Sequence, residues 1–211
     1  MLEIKANKAA KRFQYDWIFR DLSLKITPNE NIAIIGSNGS GKSTLLKCLA
    51  GTSPLTEGSF TYFLENKEIS ANDIYQYLAI AAPYLELPEE FTLSELLEFH
   101  FSFTSPLKGL DANKMMEIMY LTDSKDKQVS YFSSGMKQRL KLGLCFFSSK
   151  PLLLLDEPSA NLDLKGLAWY LDLVQGYGSD KTLIIASNDV REYDFCTQMV
   201  EIETFKLKKA I

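Results

Sequence analysis

The sequence is short of the residues on which several chemistries depend. One histidine, His100, and three cysteines, Cys48, Cys145 and Cys196, are all that 211 residues supply as imidazole and thiol. None has metal-ligand spacing. An odd number of cysteines in mostly apolar stretches reads as buried packing thiols, not as a disulfide framework. His100 lies among Leu96, Leu97, Phe99 and Phe101, which suits a structural or surface role better than a catalytic one. No apolar run approaches the ~20 residues that span a bilayer, and no signal peptide is visible. The expectation is a soluble, cytoplasmic chain. Excess positive charge is missing too. Lys and Arg number 23 against 27 Asp and Glu, a net charge of −4, which argues against a broad nucleic-acid footprint. The basic end, Lys206 to Lys209, reads as a solvated tail. Internal repeats and low-complexity tracts are absent.

What remains is globular. Hydrophobic residues make up 46% and charged residues 24%, enough for one compact domain with a full core, or a domain with a subdomain. Its centre is Gly36–Thr44, GSNGSGKST. The apolar run Ile32–Ile35 precedes it, and Leu45, Leu46 and Leu49 follow at helical spacing. Strand, glycine turn, helix is the context in which G-x-x-x-x-G-K-[ST] cradles phosphates. Gly36, Gly39 and Gly41 can take backbone angles closed to other residues, so the N–H groups from Gly36 through Ser37, Asn38, Gly39, Ser40 and Gly41 can turn inward. The helix that follows, opening at Lys42, Ser43 and Thr44, adds unpaired N–H groups and a positive dipole end. Lys42 would reach the β- and γ-phosphates, and the Ser43 hydroxyl would bind Mg²⁺. A bare glycine turn would match the four fixed positions in about one chain in a hundred of this length.

Along the chain, Leu2, Ile4 and Ala6 alternate on one strand face, and Leu22, Leu24 and Ile26 on another. Between them stand Phe13, Tyr15, Trp17 and Phe19. Phe19 reads as core, while Phe13 or Tyr15 could stack on an adenine ring. Pro28-Asn29-Glu30 reads as a turn. Strands are expected at Gly58–Tyr62, Tyr77–Ala82, Leu152–Leu155, Leu183–Ala186 and Gln198–Phe205. Thr92-Leu93-Ser94-Glu95 is a capping box that opens a helix. Further helices are expected over Asp111–Tyr120, from near Gly135, and from Leu164 to Gly176. The last of these places Leu164, Leu167, Ala168, Leu171 and Val174 on one side. Little strand signal lies between Tyr84 and Lys150, so that stretch reads as a helical insertion.

Leu152–Leu155 ends in Asp156-Glu157-Pro158, where a buried strand meets solvent. Ligands bind at the carboxyl ends of strands in open α/β sheets. Asp156 there can hold Mg²⁺ opposite Ser43, and Glu157 can accept a proton from an attacking water. The alternative is a polar turn and helix cap.

The phosphate loop, Phe132-Ser133-Ser134-Gly135-Met136-Lys137-Gln138-Arg139, Leu152–Pro158 and Ser159-Ala160-Asn161-Leu162-Asp163 together resemble the nucleotide-binding domain of an ATP-binding cassette (ABC) protein. Order and spacing match over essentially the whole chain. The resemblance implies an α/β fold in one domain, residues 1–211. Its parts would be a P-loop NTPase (RecA-like) core, an N-terminal antiparallel β subdomain and an α-helical signature-motif subdomain at about 84–150. Ser133–Met136 resembles the signature motif, with Ser134 in place of a usual glycine and Met136 in place of a usual glutamine. Ser159–Asp163 resembles the D-loop, and Phe13 stands where the adenine-stacking aromatic is expected. The resemblance further implies ATP with Mg²⁺ and two subunits meeting head to tail. Ser133, Ser134, Gly135, Met136 and Asp163 of one would then face the ATP held by the other. The second subunit can be identical or different, and a separate transmembrane permease would hold the pair at the cytoplasmic face of the membrane.

Two positions depart from the pattern. Pro83-Tyr84 stands where the family has a glutamine, and no glutamine lies between Gln76 and Gln128; Glu86 is the nearest substitute. Ser187-Asn188-Asp189 puts Asn188 where a histidine is usual. Asparagine can hydrogen-bond a phosphate or water but cannot carry the proton. Slowed hydrolysis is therefore expected, with Glu157 retained as base, Lys42 on the phosphate and Asn188 in the switch position. The compact length and Ser134–Arg139 resemble small export-type ATPases. The competing expectations are a soluble, non-transport ATPase of the same fold and a weakly hydrolysing clamp or regulatory subunit.

Overall fold

The computed structural model describes residues 2–206. Of the basic end, Leu207 to Lys209 lie outside the described residues. The chain forms two compact units. The first gathers the described residues up to Ile80, Lys150–Glu157 and those from Asp180 onward, and the second comprises Ala81–Ser149 and Pro158–Ser179.

Two sheets build the first unit. The antiparallel one runs β2 (Asp16–Ile26), β1 (Leu2–Phe13), β4 (Glu57–Leu64), β5 (Lys67–Ile69). Leu2, Ile4 and Ala6 are buried in alternation, as their spacing predicts. Past Ala6 the register with β2 shifts, and Lys8 takes φ 45. This bulge changes the phase, so neighbouring Ala9 and Ala10 are both buried. The bulge also explains Gly58, where a Cβ would stand 2.2 Å from the Lys8 carbonyl oxygen. Pro28–Glu30 is the expected turn, with Asn29 at φ 61 and the Glu30 carboxylate accepting the Thr27 N–H at 2.8 Å.

The second sheet runs β6 (Leu78–Ala81), β7 (Leu152–Asp156), β8 (Thr182–Ala186), β3 (Asn31–Ile35), β9 (Gln198–Glu201). β7 pairs parallel to β8, and β3 parallel to β8 and β9. Every residue of β7 and β8 is buried, as a parallel sheet covered on both faces requires. The expected terminal strand to Phe205 is shorter. β9 ends at Glu201, and Ile202–Phe205 is a 3₁₀ turn. Ile202 is fully buried beneath the glycine loop, its Cγ2 3.1 Å from where a Gly36 Cβ would lie. Burying that side chain turns the strand. The three cysteines are buried and none of them forms a disulfide, as expected.

Helices dominate the second unit. α2 (Leu93–Phe103) opens with the full capping box. The Thr92 N–H donates to Glu95 at 2.8 Å, and the Glu95 N–H to the Thr92 hydroxyl at 3.3 Å. α3 (Ala112–Ile118) is capped by Asp111, which accepts the Lys114 N–H at 2.8 Å. It closes with paired bonds, Leu121 N–H to Met116 O at 2.9 Å and Tyr120 N–H to Glu117 O at 3.0 Å. That motif needs a left-handed residue, normally glycine, and here it is Tyr120 at φ 57, at a cost of about 1 kcal/mol.

α4 (Ser134–Phe146) starts on Ser133, whose hydroxyl accepts the Met136 N–H at 3.3 Å. α5 (Leu164–Tyr177) starts on Asp163, which accepts the Gly166 N–H at 2.8 Å. The expected apolar face of α5 is corrected. Leu167 is buried, but its partners are Gly166, Trp169, Tyr170 and Leu173, and Leu164 is 74% exposed. Trp169 and Tyr170 outweigh the smaller Leu164 and Ala168, because aromatics bury the most area and so turn the helix toward themselves.

Candidate functional site

The glycine loop leaves β3 and enters α1 (Lys42–Leu49). Gly36, Gly39 and Gly41 have φ of 147, 75 and 115. Close approach makes glycine compulsory at Gly41 as well, since a Cβ would stand 2.3 Å from Ile18 Cγ2. No side chain caps α1, so its first N–H groups face the loop free of side-chain partners. Lys42 is only 5% exposed, and its Nζ donates to Gly36 O at 2.8 Å and Ser37 O at 3.1 Å. The cation is thus folded back on its own loop. Asn38, Gly39, Gly41, Lys42, Ser43 and Thr44 line a cavity of about 220 Å³ with Ile18 and Glu157. Ser40 is buried, and its hydroxyl has no hydrogen-bond partner.

β7 delivers the acidic pair. Asp156 is 2% exposed, and burial pushes its carboxyl above the usual range, opposed by a hydrogen bond from Ser43. A hydroxyl and a buried carboxylate are hard oxygen donors, and a divalent cation would offset the charge that burial disfavours. The pair therefore fits Mg²⁺. Glu157 follows in a left-handed conformation, φ 43, its N–H donating to Ala186 O at 2.8 Å. Asn188, after β8, donates from Nδ2 to Asn38 Oδ1 at 3.1 Å. The first unit therefore brings together the glycine loop, Asp156, Glu157 and Asn188.

Phe13 and Tyr15 lie at the β1–β2 turn, and neither lines the cavity. Phe13 is half exposed, with Lys11 Nζ 4.8 Å from its ring centroid; Tyr15 is almost fully exposed. Ser133, Ser134, Gly135, Met136 and Asp163 belong to the second unit. There Ser133 and Ser134 are exposed at the start of α4, and a Cβ on Gly135 would lie 3.3 Å from Asn161 O. At Pro83-Tyr84, Lys141 of α4 donates to Ala82 O at 3.2 Å and Pro83 O at 3.1 Å.

Sequence reasoning missed Ile18, Ile202 and Glu203. Ile18 and Ile202 brace the loop glycines, and the Glu203 carboxylate accepts a hydrogen bond from Ser37. Nothing in their local pattern marks them, because each reaches the loop from a distant strand or turn.

The sequence profile of the ABC transporter family matches residues 19–160. An ABC transporter ATP-binding protein of Methanosarcina acetivorans is 34% identical over 189 residues, 82% of this chain and 68% of that protein. The phospholipid-transporting ATPase ABCA3 of Mus musculus is 29% identical over 192 residues, 87% of this chain. Only 11% of that much longer protein is covered. Among solved structures, the dimeric bacterial ABC transporter cassette MJ0796 superposes with TM-score 0.78 at 20% identity, over 95% of each chain. At that identity the likeness speaks for the fold.

Proposed function

The chain belongs to the ABC transporter family of ATP-binding proteins, and from that premise we propose that it hydrolyses ATP between two subunits meeting head to tail. Each ATP lies between one phosphate loop and the partner's Ser133–Met136 segment, with the partner's Asp163 close by. One observation carries the reading. Ser43, bonded to buried Asp156, lines a single cavity with Lys42 and Glu157 behind a glycine loop.

The chain's own groups divide the work. Phosphate draws Lys42 from the carbonyls of Gly36 and Ser37, since an anionic acceptor attracts the ammonium more strongly than a neutral carbonyl does. Loop N–H groups and the start of α1 take further phosphate oxygens, and Phe13 supplies a ring face for adenine. Ser43 and Asp156 are the residues that would hold Mg²⁺, which would supply charge neutralisation for the bound phosphates. Glu157 accepts the proton of the water that attacks the γ-phosphate. Asn188 orients that water or the phosphate without moving a proton. Ser133 and Gly135, at a helix N-terminus, bind the γ-phosphate from across the dimer. ATP then holds the subunits together, and hydrolysis releases them.

Such a cycle powers a separate membrane permease at the cytoplasmic face. Among the described residues no helix is long and apolar enough to cross a membrane. The Ser134–Arg139 stretch favours an export-type system. A second reading, a weakly hydrolysing clamp, is favoured by Asn188, which is tied to Asn38.

Steady-state ATPase activity with Mg²⁺ tests both, comparing wild type with Glu157→Gln and Asn188→His. Loss of turnover in Glu157→Gln with ATP binding kept, and a gain in Asn188→His, are expected. Equal turnover in Glu157→Gln would overturn the assignment of the base. Tight binding without turnover in wild type would leave the clamp.

A further inference from the structure

A second concave surface lies wholly in the second unit, and none of its lining residues has a role assigned above. It is a groove of about 530 Å³ between the end of α3 and α5, lined on the α5 side by buried Trp169 and Leu173 with Asp172 and Tyr177. Its floor is apolar, from Ile118 and Leu173, and its walls carry Trp169, Tyr177 and Tyr120. Three carboxylates, Glu117, Asp123 and Asp172, rim it, and no lysine or arginine lines it. Glu117 is paired with Lys114 at 2.9 Å, whereas Asp123 and Asp172 have no ion pair among the described residues.

The rings are already shown to suit a cation. The Arg139 guanidinium stacks 4.6 Å from the Trp169 centroid and 5.3 Å from that of Tyr120. Tyr120 is 72% exposed and holds the left-handed position where glycine would be unstrained.

We infer that this groove docks a lysine- or arginine-bearing segment of a partner protein. The charged heads meet Asp123 and Asp172, and the aliphatic stems lie along Ile118, Leu173 and the ring faces. A small hydrated cation would gain nothing from the apolar floor. A second copy of this chain, with net charge −4, is a poor electrostatic match.

The test is fluorescence anisotropy of a short labelled amphipathic peptide of lysine and leucine, titrated with the full chain. Asp123→Asn with Asp172→Asn should weaken binding by about five- to tenfold, and added salt should weaken wild-type binding. Tyr120→Gly removes the ring but relieves the backbone, so it should weaken binding severalfold while its unfolding midpoint stays put. Glu65→Gln with Glu68→Gln, an equal charge change elsewhere, should bind like wild type. No binding by wild type, or equal weakening by the Glu65/Glu68 pair, would overturn the inference. So would displacement by spermidine at concentrations like the peptide's own Kd, which would mean a small-cation site. A sedimenting dimer abolished by the Asp123/Asp172 pair would assign the groove to self-association instead.

Discussion

Glu157 and Asp156 are neighbours with opposite surroundings, and their replacement separates two steps. Glu157 faces the cavity, while Asp156 is almost wholly buried against Ser43. Glu157→Gln keeps size and hydrogen bonding but removes the base. Turnover should fall by about 10²–10⁴, or roughly 3–5 kcal/mol of barrier, with ATP affinity unchanged by equilibrium binding. Asp156→Asn should behave in reverse. Burial disfavours the carboxylate in the metal-free chain, so the neutral isostere should unfold at a higher temperature without Mg²⁺. Its ATP affinity should lose the Mg²⁺ dependence of wild type, read by titration with and without EDTA. A third change tests packing. Gly41→Ala places a methyl 2.3 Å from Ile18 Cγ2 at φ 115, and should abolish nucleotide binding. Adding Ile18→Ala clears the space but not the backbone angle, so binding should stay lost while some stability returns.

At the scale of elements, what was legible was whatever consecutive residues decide alone. The Thr92–Glu95 box, the fully apolar β7 and the glycine loop each carry their signal within a few positions. What was hidden depended on distant partners. The bulge at Lys8 is set by β2 and β4, the rotation of α5 by where Trp169 and Tyr170 find cover, and the turn at Ile202 by the loop above it. The candidate site divides the same way, for Ser43, Asp156 and Glu157 stand in local motifs whereas Ile18 and Glu203 do not. The α2 cap also yields a pH prediction. Bonds from the Thr92 N–H and hydroxyl hold the Glu95 carboxyl below its ordinary 4.5. A depressed carboxylate contributes stability that is present above 4.5 and lost as pH falls through the lower folded value. Thermal unfolding of wild type and Glu95→Gln should therefore differ near pH 6 and converge at more acid pH.

For the whole molecule the question is whether a site is finished by its own chain or by a partner. The cavity is lined, among the described residues, by the glycine loop, the start of α1, Ile18 and Glu157, whereas α4 presents Ser133 and Ser134 exposed at its N-terminus. If two subunits share each ATP head to tail, a loop lesion on one subunit and a signature lesion on the other fall in the same composite site. Lys42→Ala spoils a phosphate loop and spares the signature segment. Gly135→Asp spares the loop and sets a carboxylate against the γ-phosphate. Each variant alone should be inactive, because both of its composite sites contain the lesion. In a mixed dimer, both lesions fall in one site and the other is intact. Equal mixing should then restore about a quarter of wild-type turnover, half the dimers being mixed and each holding one working site of two. Activity that stays at zero, with mixed dimers demonstrated by differently tagged subunits, would mean either that each chain completes its own site or that both sites must fire together. Titrating wild type with Lys42→Ala separates these. Sites within one chain lose activity in proportion to dilution, whereas obligate coupling makes activity fall with the square of the wild-type fraction.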